Sequence, residues 1–143
     1  MTWWMFAFGA AALWGVHYVL LERAMTVASP ITVFITPTIL SLLIIPFVYE
    51  TLVADYKALA ASTYDVKISM GMIMFTGIIA SLALYKSIQM SNASLASLIE
   101  IAYPIFVVIF AYIIFDQNQL THWSNILGGL LILIGAALVV YKG

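Results

Sequence analysis

Apolar residues along this chain gather into five runs, covering about residues 3–21, 31–53, 68–89, 93–115 and 122–141, with charged residues held mainly to the stretches between them. At 1.5 Å per residue, each run is long enough to cross the roughly 30 Å hydrocarbon core of a bilayer. None alternates apolar and polar with a period of two, and each is longer than a barrel strand needs. Backbone groups in lipid must be satisfied within their own segment, so the runs are expected to be helices. The pattern predicts an all-α membrane protein with five transmembrane helices, one domain over residues 1–143 and little left for a soluble one.

The polar residues inside the runs carry the chemistry. Ser91–Val108 holds Glu100 one turn before Pro104. A carboxylate at that depth is costly in hydrocarbon and sits against a partner or a water-filled cavity. Pro104 has no N–H, so the carbonyl of Glu100 loses its helical partner, which leaves a polar notch in an apolar helix. Ser97, Glu100, Tyr103-Pro104 and Val107 line one face. Glu100 has two readings: a group that binds a proton or substrate, or a carboxylate protonated or tied to Lys86 for assembly. Lys86, near the end of the third run beside Tyr85, is in turn either a lysine snorkelling to the interface or the partner of Glu100.

In the first run Ala10, Trp14, His17 and Leu21 share a face, and the charges Glu22-Arg23 end it at the interface. Trp3 and Trp4 fit an aromatic belt. His17 is read either as hydrogen-bonded to a neighbouring helix or as handling protons. The second run opens at Pro30 and contains Pro37 and Pro46, so kinks are expected, with Thr32, Thr36, Thr38 and Ser41 available to satisfy freed carbonyls. Residues 54–67, with Asp55, Lys57, Asp65 and Lys67, read as a surface segment, with a turn or cap at Ser62-Thr63. The third run begins with Met70, Met72 and Met74, which read as adaptable packing, and places Gly77 and Ser81 in a small-xxx-small pair. In the fifth, Ser124, Gly128 and Gly135 form a smooth stripe suited to close helix association.

Composition narrows the function. The chain is 65% hydrophobic and 8% charged, whereas a soluble domain keeps about a quarter of its residues charged. A net charge of −1 gives no footprint for nucleic acid. There are no cysteines, which excludes disulfides and thiolate metal sites, and His17 and His122 are too far apart to form a local metal pair. No metal cluster, assembled nucleophile or phosphate loop is present; Gly128-Gly129 lacks the Lys and Ser/Thr of a P-loop. Neither an enzyme nor a cofactor is expected. The N-terminal run lacks a basic leader segment and is too long and aromatic for a signal peptide, so it reads as a first span despite Ala10-Ala11-Ala12. Five spans would put Lys57 and Lys67 on one side and Arg23, Lys86 and Lys142 on the other, nearly without positive-inside bias, which allows dual topology.

The run SIQMSNASLASLIEIAYPIF, spaced as it is before FDQNQLTHWSNILGGLLILIGAALVV, resembles the EamA-type domain of the drug/metabolite transporter superfamily, and ALWGVHYVLLERAM is similar to that domain's opening stretch. The similarity covers nearly the whole chain. It implies a half-size member, one five-helix domain where typical members carry two, similar also to the small multidrug resistance proteins. It further implies pairing of two copies, or two related halves, around a central cavity. Gly128 and Gly135 match the glycine pair of dimer contact in the small multidrug proteins. Two positions depart from the pattern. The first-helix glutamate of those proteins has no counterpart near Leu13, Trp14 and His17, and the turn before the last helix reads Asp116–Leu120 without its glutamate. Glu100 and His17 are the substitutes by chemistry.

The expectation is a multi-pass transporter of the inner (plasma) membrane for small amphipathic or cationic solutes. It would work as a homodimer, parallel or antiparallel, by alternating access with proton exchange or facilitated diffusion. Glu100, His17, Trp14, Tyr103, Tyr85 and Lys86 are the candidate binding residues, with aromatic faces for a cationic substrate. The alternatives are a non-transporting scaffold subunit of a larger complex and half of a heterodimeric lipid-carrier flippase.

Overall fold

The computed structural model describes residues 3–115 and 123–142, all in helices or short turns. Among these residues there are seven helices: α1 (Trp3–Ala24), α2 (Pro30–Leu42), α3 (Ile45–Ala61), α4 (Tyr64–Met90), α5 (Ala93–Glu100), α6 (Tyr103–Phe115) and α7 (Trp123–Lys142). Met5–Ala24, Tyr64–Met90 and Ala93–Phe115 are long and apolar enough to cross a membrane. The protein is thus all-α and multi-pass. The predicted turn at Asp116–Leu120 and His122 lie outside the described residues.

The predicted second span takes a different form. It is a pair of helices, Pro30–Leu42 and Ile45–Ala61, bent by 85° at the break. Of its two internal prolines, Pro37 is accommodated inside a continuous α2, while Pro46 stands in the first turn of α3. Pro46 cannot donate to the carbonyl of Leu42, and the chain turns there through tighter bonds from Leu43 to Leu40 and from Ile44 to Ser41, both 3.1 Å. The hydroxyls of Thr36, Thr38 and Ser41 bond back to the carbonyls of Thr32, Phe34 and Pro37. The first two of these carbonyls flank the one that Pro37 frees, at Val33. The predicted surface segment 54–67 is also mostly helix: α3 continues to Ala61 and only Ser62-Thr63 separates it from α4. Ser62 Oγ closes α3 on the Leu59 carbonyl, and the Thr63 carbonyl receives the Lys67 N–H, so the turn falls where Ser62-Thr63 predicted it. At the other end of the chain, the apolar part of α7, Ile126–Tyr141, is shorter than the three membrane-length helices.

The chain divides into two compact units. The first comprises residues 1–20 and 90–143, that is, most of α1 with α5, α6 and α7. Here α5 lies against α7. Among its described residues the buried ones are small: Ala93 and Ala96 at 3% exposure, and Ala102 between α5 and α6. Small side chains allow the close backbone approach that favours helix association in lipid. The large side chains of α6 (Phe106, Val107, Phe110, Ile113) stay exposed. The second unit, residues 21–89, holds the end of α1, α2, α3 and nearly all of α4. Its buried side chains are Leu21, Met25, Tyr85 and Ile88, and Tyr85 meets Phe34 of α2 edge-on at 6.3 Å.

Candidate functional site

Glu100 is the last residue of α5, and its position follows from local sequence. Asn92 starts the helix, its Oδ1 accepting the N–H of Leu95 at 2.8 Å. From Asn92 the turn count sets Ala93, Ala96 and Glu100 on one face, at i, i+3 and i+7. The two alanines are the buried ones, so Glu100 belongs to the inward face and is half-buried. Two residues later the helix breaks. Ile101 bonds to Ser97, but Ala102 reaches only Ile99 and Ile105 only Ala102, and α6 begins at Tyr103. Pro104 offers no N–H to the Glu100 carbonyl, the notch read from the sequence; the outcome is an interruption of the span at Ile101-Ala102.

The carboxylate has a partner the sequence did not indicate. Tyr18 Oη of α1 donates to Glu100 Oε2 at 2.6 Å, across 82 positions of sequence and within one unit. The bond is short, as a phenol to a carboxylate should be. Tyr18 is itself set among aromatic rings of its own helix: Trp14 one turn back at 5.6 Å and His17 at 6.2 Å, while Trp14 and His17 pack edge-to-face at 5.1 Å. Glu100 is thereby gathered with Trp14 and His17, through Tyr18. Trp14 and Tyr103 are exposed, at 53% and 61%, whereas His17 and Tyr18 are half-buried.

Tyr18 follows His17 directly and stands one turn beyond Trp14, on the ridge already marked as special. No local signal pairs it with residue 100, because its partner comes from a different helix. A half-buried carboxylate does demand a donor, and a phenol in an apolar helix demands an acceptor. That mutual need is the only hint the sequence held.

Tyr85 is buried against Phe34, and Lys86 Nζ donates to Gln89 Oε1 at 2.9 Å on its own helix; both residues lie in the second unit. In α7, a Cβ added at Gly128 or Gly135 would meet nothing among the described residues within 4 Å. The adjacent Gly129, off the predicted stripe, faces Ile105 of α6, whose Cγ1 would lie 3.6 Å from such a Cβ. No group of three or more His, Cys, Asp or Glu among the described residues is placed to hold a metal ion.

Comparison with known proteins bears on nearly the whole chain. The family model described as "EamA-like transporter family" matches residues 1–141. No curated protein and no solved structure matches the chain. With that match, membrane-length helices and a carboxylate set at an interrupted span, the chain is a transporter-type membrane protein, and it belongs to the EamA-like transporter family.

Proposed function

We propose that the chain forms half of an inner-membrane transporter for small amphipathic or cationic solutes, with Glu100 as the group that binds a proton or the substrate cation. The observation that carries this reading is the Tyr18–Glu100 hydrogen bond beside the interruption at Ile101-Ala102. Secondary transporters build their sites at discontinuous helices, where a polar group meets unsatisfied backbone inside the membrane. Glu100 is the only carboxyl group among the described side chains of its unit, so the site offers one acidic group, enough for one proton or one monocation. The exposed rings of Trp14 and Tyr103 offer faces to an organic cation, and His17 is the second titratable group close by. Tyr85 and Lys86, engaged with Phe34 and Gln89, are not needed for this role.

The transporter works as a dimer of such halves, two copies or a related pair, in alternating access. The open positions at Gly128 and Gly135 favour this, since no described residue uses the space their missing side chains leave. Uptake of a lipophilic aryl-ammonium into proteoliposomes tests the reading. Glu100→Gln should lower uptake at least tenfold and remove its dependence on a pH gradient. Undiminished uptake by that variant would remove Glu100 from the mechanism, and a wild-type protein that moves no solute would favour the scaffold role.

A further inference from the structure

Glu100 has two oxygens, and they are not equivalent. Oε2 is taken by the Tyr18 phenol at 2.6 Å. Within the same unit, Oε1 accepts no hydrogen bond from the described residues. Tyr18 is held in turn by the rings of Trp14 and His17 on its own helix, so the donor arrives from a braced position and not from a freely rotating side chain. A carboxylate with one oxygen clamped has a fixed plane and a defined direction for its second oxygen.

From this geometry we infer that Tyr18 is the positioning residue of the site, holding Oε2 so that Oε1 is the oxygen presented to a single N–H donor on the ligand. The inference rests on the proposed role of Glu100 and adds a ligand class to it: a singly charged ammonium with a donor proton, whose binding depends on direction as well as charge. A cation without a donor proton senses only the charge of Glu100 and is indifferent to how its plane is held.

Two probes separate these contributions. Benzylammonium carries one charge and N–H donors; tetraphenylphosphonium carries one charge and none. Binding of each to the purified full chain is followed by quenching of tryptophan fluorescence, Trp14 being part of the site. Tyr18→Phe keeps the ring and deletes the hydroxyl. It should weaken benzylammonium binding about tenfold, the worth of one charge-assisted hydrogen bond, and leave tetraphenylphosphonium within about twofold. Equal weakening of both probes would make Tyr18 a merely structural residue and overturn the inference, as would no change for either. Glu100→Gln reports on the underlying reading separately: it should weaken both probes, and if it weakens neither, the binding role of Glu100 fails whatever Tyr18 does. Should Tyr18→Phe not fold, the carboxylate stretch of isotope-labelled glutamate in the wild-type chain still decides. Addition of benzylammonium should shift that band and tetraphenylphosphonium should not; identical spectra would overturn the inference.

Discussion

A carboxylate at the C-terminal end of a helix faces the negative end of the helix dipole and gains nothing from its own backbone. Glu100 occupies such an end, and the Tyr18 phenol supplies the donor that the position lacks. Its placement depends equally on two small residues of α5, Ala93 and Ala96, each 3% exposed on the face that carries Glu100. Their size sets how near the helices come. Ala96→Leu should force the helices apart and cost about 1–3 kcal/mol, the usual penalty of overpacking. A lowered unfolding midpoint in detergent would show it, with Ala96→Ser close to wild type. An unaltered midpoint for the leucine variant would mean that Ala96 is not closely packed.

Helices here are set by prolines as much as by hydrophobicity, and the four prolines do not act alike. Pro30 starts α2 after the Ser29 cap, where its missing N–H costs nothing. Pro37 is tolerated inside α2, while Pro46 and Pro104 each stand just after a break. The difference lies in what surrounds them. Near Pro37 three hydroxyls bond back to the helix, whereas residues 42–45 before Pro46 are all aliphatic and residues 101–103 before Pro104 include no Ser or Thr. Pro46→Ala restores a donor to the Leu42 carbonyl and should open the 85° bend between α2 and α3. Because the chain contains no cysteine, spin labels can be placed at Ile35→Cys and Tyr56→Cys without removing native thiols. The distance between them should lengthen in the Pro46→Ala background. A distance that stays put would assign the bend to packing and not to the proline.

At the scale of the molecule, most large side chains point outward, which is what lipid and partner helices ask of a membrane protein. The glycines of α7 make the point sharper. Gly129 already has a neighbour in Ile105, whereas Gly128 and Gly135 have none within 4 Å among the described residues. Replacing both Gly128 and Gly135 by leucine should therefore leave the single chain folded and abolish the proposed dimer. The check is crosslinking in nanodiscs together with light scattering in detergent. Dimer retained in the double variant would place the contact on another face of the protein.

Much of this was legible in the residues themselves. Apolar run length predicted the membrane-length helices, because lipid leaves a backbone few other choices. Ser62-Thr63 announced the turn before α4, and Glu100 beside Pro104 marked the notch in the fourth run. These are local facts: hydropathy, a cap, a missing N–H. What the sequence left open depended on groups distant along the chain or on competition between nearly equal local options. It did not say that Pro46, and not Pro37, would turn the chain, since both remove one hydrogen bond and only the surrounding hydroxyls differ. Nor did it say which of several polar groups would meet Glu100. Lysine was the obvious electrostatic partner, yet the fold brought Tyr18 to it and left Lys86 with Gln89. Chain composition fixed the solvent and the element type, but the pairing of residues 82 positions apart was decided only when helices packed, because hydrogen bonds are made across space and not along the sequence.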